Sequence, residues 1–380
     1  MVQKPGRNLR LLIVFGTRPE ALKCFPVVQE ALNCKNVDVQ VCVSAQHRDM
    51  LDQVIVQTGM PVDYDLNVMR PGQTLFETTA RVLTGMADVL DAAKPDFVVV
   101  QGDTTTAMTA ALAAFYKRIP VAHVEAGLRS GDNYSPWPEE VNRKIVGDIA
   151  LVHFAPTPQA RDNLLREAKS PESIFVTGNT VIDTLLHFSD RMNSDKELEG
   201  ELAGRFPFLD AGKRLLLVTG HRRENFDGGM ERICLALKAI AARGDVQIVY
   251  PVHPNPNVRE AVTSALGQDA NIHLVGPQEY LPFVYLLKKS FFVLTDSGGV
   301  QEEAPSLGKP VLVMRENTER PEGVAAGTAV LVGTSVEKIT KNAFSLLDDK
   351  SFYDGMSLQH NPYGDGLAGK RIIEELLRHV

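Results

Sequence analysis

Only four cysteines and a single tryptophan occur in 380 residues. Cys24, Cys34, Cys42 and Cys234 show no Cys-x-x-Cys spacing and no metal-ligand pattern, which argues against a structural metal and against a disulfide scaffold. They read as reduced, mostly buried thiols of a cytoplasmic protein. No stretch approaches the roughly 18 apolar residues of a membrane span. The run Leu11 to Phe15, behind Lys4, Arg7 and Arg10, is too short for the apolar region of a signal peptide. A positive surplus is missing too: 40 basic residues stand against 47 acidic ones, a formal charge of -7. A dedicated nucleic-acid binder wants a basic face, so that class is set aside. A local cluster of Arg and His can still hold a phosphate. What remains is an ordinary globular balance, 44% apolar and 23% charged, in a chain long enough for two domains.

Those domains show in the alternation of patterns. Leu11–Phe15, Val37–Val43, Phe97–Gln101, Val121–Val124, Phe154 and Ile174–Val176 read as strands. Helical patterns lie between them, with Pro19 and Glu20 suited to a first turn. Asp190 to Lys213 interrupts this with charge, Gly200, Gly204 and Pro207. The alternation restarts with strands at Leu215–Thr219, Val246–Val252, Ile272–Val275, Phe291–Thr295, Val311–Met314 and Val330–Val332. The expectation is an α/β protein of two Rossmann-like, doubly wound domains with an interdomain cleft. Residues 1–189 form the first domain, 190–213 the connection and 214–365 the second domain. The last helix, within 366–380, packs back on the first domain.

Three carboxylates stand where ordinary surface acids do not. Asp103 follows the strand Phe97–Gln101 and precedes Thr104-Thr105-Thr106 and a helical pattern. Glu125 ends the strand Val121–Val124. Glu139 lies in Pro136-Trp137-Pro138-Glu139-Glu140, beside the tryptophan. Ligands of open parallel sheets bind outside the carboxyl ends of the strands, so Asp103 and Glu125 should share a crevice that Glu139 can reach. Together they propose a pocket for proton transfer. Each also has a plainer reading: Asp103 as a helix cap, Glu125 as a solvated loop acid, Glu139 or Glu140 as an acid favoured in a first helical turn. His123, inside a strand pattern, reads as a hydrogen-bonded core residue.

In the second half, Thr295-Asp296-Ser297-Gly298-Gly299 follows a strand and opens a helix, so the N–H groups of Ser297, Gly298 and Gly299 make an anion site. Glu302 or Glu303, one turn on, is placed to accept from ribose hydroxyls. His221-Arg222-Arg223, at another strand end, adds positive charge for a phosphate, against the alternative of a solvated basic turn. Gly364-Asp365-Gly366-Leu367-Ala368-Gly369-Lys370 imitates both a dinucleotide fingerprint and a phosphate loop. It follows no expected strand, and Arg371 stands where a phosphate loop needs Ser or Thr. It reads as the entry to the terminal helix.

Taken together, GTRPE at 16–20, GDTTT at 102–106, HVEAGLR at 123–129, PWPEEVNR at 136–143, GNTVID at 178–183, GHRREN at 220–225, PVHPNP at 251–256 and the long run at 295–322 resemble the non-hydrolysing UDP-N-acetylglucosamine 2-epimerases of bacteria. The resemblance spans nearly the whole chain from Leu11. It implies a glycosyltransferase-B-type fold, a homodimer, no metal, no nicotinamide or other cofactor, and interconversion of UDP-GlcNAc and UDP-ManNAc for cell-surface polysaccharide synthesis. It also implies the route: UDP leaves C1 by anti elimination, giving 2-acetamidoglucal, and adds back with protonation at the other face of C2. Asp103, Glu125 and Glu139 then serve proton transfer and the oxocarbenium-like carbon, and His221 and Arg18 serve the diphosphate with Ser297, Gly298 and Gly299. Lys23, Gln278, Phe283, Glu303 and Arg320 complete the nucleotide-sugar site, Phe283 against the uracil. Some members bind a second UDP-GlcNAc, and the matching positions are Gln46, Arg70, Arg222 and His253. A glycosyltransferase of the same fold would use the same UDP site but leave several carboxylates without a task. An idle UDP-sugar sensor would not need them either.

Overall fold

The computed structural model describes residues 7–45, 48–70, 72–220, 228–252, 256–267 and 269–379, without the side chains of residues 49, 256–258 and 261. They form two compact units: one up to Thr184 together with the residues from Gly364 on, the other Leu185–Tyr363.

The N-terminal unit holds a parallel sheet of β1 (Leu9–Phe15), β2 (Val37–Val43), β3 (Tyr64–Asp65), β4 (Phe97–Gln101), β5 (Val121–Val124), β6 (Val152–Ala155) and β7 (Ile174–Val176). Their order is β3-β2-β1-β4-β5-β6-β7. The C-terminal unit repeats the plan with β8 (Arg214–Thr219), β9 (Val246–Pro251), β10 (Ile272–Val275), β11 (Phe292–Thr295), β12 (Val311–Val313) and β13 (Ala329–Leu331). Their order is β10-β9-β8-β11-β12-β13. Both are the doubly wound α/β sheets expected from the alternation. Strand order reverses at β1/β4 in one sheet and at β8/β11 in the other, and such reversals open the crevices where ligands bind.

The apolar strand runs explain the burial. Leu12, Val14, Val98 and Val100 are buried among Val82, Met86, Ala107 and Ala111 from the helices Leu75–Ala93 and Thr105–Tyr116. Leu216, Val218, Ile248 and Leu294 pack with Ile233, Leu237 and Ile240 of the helix Gly229–Ala241. Because both sheet faces are covered, these strands are almost continuously apolar rather than alternating. β3 was not anticipated: two residues pairing with Cys42 and Val43 leave no periodic signal.

Residues 190–213, read as the connection, belong to the C-terminal unit. Asp195 caps the helix Lys196–Gly204, its side chain accepting the Leu198 N–H at 3.0 Å. Leu202 and Phe206 are buried, and Phe206 stacks on Tyr285 with centroids 5.9 Å apart. The charge that suggested a linker lies on the outer face of a docked helix.

The helix Ala368–Arg378 packs on the helix Arg18–Asn33. Gly369 permits this: a β-carbon there would stand 2.8 Å from the Pro26 carbonyl oxygen. Its N–H donates to Asp183 Oδ1 at 2.8 Å. Burial pushes the Asp183 carboxyl up to about 6, outweighing the helix-terminal N–H groups that favour its anion. Among the described residues no helix is long and apolar enough to cross a membrane.

Candidate active site

The turn after β1 sets the floor of the N-terminal site. Thr17 and Glu20 form a capping box at the start of the helix Arg18–Asn33. Glu20 is buried; it accepts the N–H groups of Gly16 at 3.1 Å and Thr17 at 2.8 Å, and the Thr104 hydroxyl at 2.6 Å. Burial raises its pKa against those donors. Gly16 cannot be larger, since a β-carbon would lie 2.1 Å from Ser44 Oγ and 2.6 Å from Thr106 Oγ1. Arg18 begins the helix, half-buried and with no ion pair among the described residues.

Lys23, one turn into that helix, reaches Glu125 at the end of β5, with Nζ 2.6 Å from Oε1 and 2.7 Å from Oε2. Gln101 Nε2 also donates to Glu125 Oε2, and Asn179 Nδ2 donates to Oε1 at 3.4 Å. Glu125 is therefore no solvated loop acid: its side chain is 7% exposed and held by Lys23, Gln101 and Asn179. Its φ of +64° lies in the left-handed region, on the order of 1 kcal/mol of strain for a residue with a side chain, a feature that clusters at functional sites. Cys24, the neighbour of Lys23, is buried, and burial first, then Glu20, pushes its thiol well above the ordinary range. It stays protonated and is no nucleophile.

Asp103 follows Gly102, whose φ is +68° and whose β-carbon position is 3.5 Å from Glu125 Oε2. The helix-cap reading of Asp103 does not hold. Thr104 is the cap of the helix Thr105–Tyr116, accepting the Ala107 N–H at 3.0 Å. The Asp103 carboxylate is 27% exposed and accepts from Arg143 Nη2, while Asn142 Nδ2 donates to its carbonyl at 2.9 Å. His123, as anticipated, is a core residue, its Nε2 2.8 Å from the Gly102 carbonyl oxygen. Since a carbonyl only accepts, Nε2 carries the proton, and burial lowers the ring's pKa to about 3.

Glu139 and Glu140 separate in role. Glu140 is fully buried and accepts from the N–H groups of Ser130 at 3.1 Å and Gly131 at 3.3 Å, and from Arg143 Nη1 at 3.2 Å. It pins the loop ahead of its own helix, Glu139–Ile149. Glu139, the first residue of that helix, is half-buried, and its carboxylate has no hydrogen-bond partner among the described residues.

In the C-terminal unit, Ser297 caps the helix Gly298–Glu303 by position alone. Its own N–H is not available to an anion, since it donates to Thr295 Oγ1 at 2.9 Å. The N–H groups of Gly298 and Gly299, in the first turn, have no intrahelical acceptor. Arg320 stands beside them: a β-carbon on Gly298 would be 3.8 Å from its Cζ. Arg320 Nε pairs with Glu302, and Glu303 accepts the Tyr280 hydroxyl at 2.8 Å. Gln278 donates to the Gly276 carbonyl at 2.7 Å, and Phe283 is half-buried on the helix Tyr280–Lys289. Arg70 is exposed, its Nη1 donating to the carbonyls of Asn67 at 3.1 Å and Met69 at 2.6 Å. Gln46, His221, Arg222 and His253 lie outside the described residues. Among the described residues no cluster of His, Cys, Asp and Glu is arranged to hold a metal.

From sequence, Gln101, Asn179 and Arg143 carry no role in the site, and Glu20 and Glu140 read only as first-turn acids, which both are. Asn179 and Arg143 lay inside quoted motifs, GNTVID and PWPEEVNR. Gln101, the one polar residue closing an apolar strand, was signal enough to have been named.

The model of the family described as UDP-N-acetylglucosamine 2-epimerase matches residues 30–377. The UDP-N-acetylglucosamine 2-epimerase of Escherichia coli (strain K12) is 56% identical over 369 residues, covering 97% of this chain and 98% of that protein. The crystal structure of UDP-GlcNAc 2-epimerase from Neisseria meningitidis bound to UDP-GlcNAc superposes with a TM-score of 0.89 at 47% identity, covering 97% of this chain and all of the other. The glycosyltransferase SnogD from Streptomyces nogalater, 16% identical with a TM-score of 0.60 over 97% of this chain and all of the other, shares the fold alone.

Proposed function

The chain belongs to the UDP-N-acetylglucosamine 2-epimerase family and is an isomerase acting at C2 of UDP-N-acetylglucosamine, and we propose how its residues divide that reaction. Asp103 takes the C2 proton as the C1–O bond to UDP breaks, giving 2-acetamidoglucal. UDP then returns to C1 while C2 is protonated on its opposite face, with Glu139 on the loop-borne helix as the acid. Glu125 stays an anion throughout, beside the oxocarbenium-like carbon. The observation that carries this division is the contrast between the carboxylates. Glu125 is held by Lys23, Gln101 and Asn179, which favours its charged form, whereas Asp103 is partly open and pairs with Arg143. A base needs that access.

The leaving diphosphate is assigned to Arg18, His221 and the N–H groups of Gly298 and Gly299, which meet developing negative charge without reorganising. Lys23 orients the sugar through Glu125. Arg320, Glu303, Gln278 and Phe283 hold the nucleotide, with Phe283 against the uracil and Ser297 shaping the turn.

Incubation with UDP-GlcNAc alone in deuterated water tests the reading. Deuterium enters C2 of both nucleotide sugars with no acceptor present. A glycosyltransferase or an idle sensor leaves C2 unlabelled, and that result would overturn the assignment.

Three further points belong to the proposal. A homodimer is supported by apolar side chains left outside in the N-terminal unit, Phe76 at 88% and Val56 at 81% exposure. A sedimentation mass near 41.7 kDa would refute it. A cytoplasmic location is supported by the free cysteines Cys24, Cys34, Cys42 and Cys234, and recovery of the native protein outside the cytoplasmic fraction would refute it. A second UDP-GlcNAc acting through Gln46, Arg70, Arg222 and His253 would favour one conformation by its differential affinity. Pure UDP-ManNAc is then converted slowly and a trace of UDP-GlcNAc accelerates it. Full reverse activity on pure UDP-ManNAc would remove the second site.

A further inference from the structure

The residues just before the glycine run converge on one ion pair. Asn361 and Tyr363 are 7% and 2% exposed. Asn361 Nδ2 donates to the Glu302 carbonyl at 3.0 Å and also reaches Ser306 Oγ. The Tyr363 hydroxyl donates to the Arg320 carbonyl at 3.0 Å and accepts the Gly323 N–H at 2.8 Å. Asn361 Oδ1 accepts the Tyr363 N–H at 3.1 Å, which locks the two side chains into one turn. Glu302 and Arg320 are the residues whose side chains pair. Two neighbouring side chains thus hold the main chain of both partners, which are 18 positions apart. Gly323 has little room to shift, since a β-carbon there would meet the Tyr363 oxygen at 3.1 Å. On its other side the Arg320 guanidinium lies against Gly298, so the placement of the Arg320 backbone sets the distance between this cation and the Gly298 turn.

We propose that Asn361 and Tyr363 are positioning residues for the nucleotide sugar, acting through the Glu302–Arg320 pair. A long, flexible side chain such as arginine binds an anion well only where its base is held. Here two buried hydrogen bonds, from one short segment distant in sequence, do that for the cation and for its counter-charge. This rests on the assignment of Arg320 to the nucleotide made above.

Titration calorimetry with UDP on the full chain, in a cycle of Tyr363→Phe, Arg320→Ala and the double variant, tests both statements separately. Tyr363→Phe is expected to weaken UDP by about 3- to 10-fold, the scale of one hydrogen bond. In the Arg320→Ala background the same change should cost less than about twofold, because residues acting through one another are not additive. A Tyr363 that is only architectural would lower the unfolding temperature and leave the affinity of the folded molecule unchanged, which overturns the proposal. An equal loss in both backgrounds also overturns it. An unchanged affinity in Arg320→Ala alone overturns the assignment of Arg320, and the proposal with it, and is read from that single variant. Should Tyr363→Phe not fold, Asn361→Ala in the same cycle with Glu302→Gln carries the test with the same expected pattern.

Discussion

Asp103→Asn is expected to lower kcat by about 10²-fold or more, the usual scale for a positioned acid or base, while calorimetry finds the affinity for UDP nearly unchanged. The substitution keeps the size of the side chain and leaves an amide oxygen for Arg143 Nη2, so the turn after β4 keeps its shape. What is lost is the ability to take a proton. Asp103 is suited to that because its pairing with Arg143 leaves part of the carboxylate open, and because Thr104 relieves it of capping duty. Near-normal turnover in the Asn variant would reduce Asp103 to a bridge to Arg143. A large loss of UDP affinity would place it at the nucleotide rather than at C2.

Lys23→Met is expected to destabilise the fold strongly. It takes the Lys23 ammonium away from the Glu125 carboxylate, 7% exposed, and breaking one side of a buried pair costs about 3–5 kcal/mol. Gln101 and Asn179 would still donate to Glu125, which places the expected value at the low end of that range. Denaturant unfolding reads the loss, and adding Glu125→Gln should recover part of it by removing the charge that Lys23 paired. If Lys23→Met unfolds at the wild-type midpoint, the pair contributes nothing to stability and Lys23 is held for substrate alone.

These two residues also show how far the sequence could be read. Asp103 and Glu125 stood out as strand-end acids because each follows an apolar run that ends abruptly, and the strands Phe97–Gln101 and Val121–Val124 do end just before them. Most strands were legible for the same reason: Val37–Val43, Phe97–Gln101 and Val121–Val124 are bounded by polar or turn residues. What could not be read is pairing over distance. Lys23 and Glu125 are 102 positions apart, and nothing in the local pattern of either names the other. The split between Glu139 and Glu140 was equally hidden, because it depends on which carboxylate faces the N–H groups of Ser130 and Gly131. Ser297 shows the opposite failure. The Gly-rich turn was recognised, but Thr295 Oγ1 takes an N–H that the motif alone leaves free. Residues 190–213 misled because composition averages over a helix whose one buried side is short.

The N-terminal unit is not contiguous in the chain, and this sets an order of events during synthesis. Its sheet and first helix are made early, yet the segment from Gly364 on, which supplies the partner for Asp183 and covers Pro26, follows the whole of Leu185–Tyr363. At about 5–20 residues per second, the ribosome needs on the order of ten seconds or more to make the intervening unit. For that interval the helix Arg18–Asn33 lacks the cover of Ala368–Arg378, and Asp183 has no helix terminus to face. The C-terminal unit can close before the N-terminal one is complete, reversing the usual vectorial sequence.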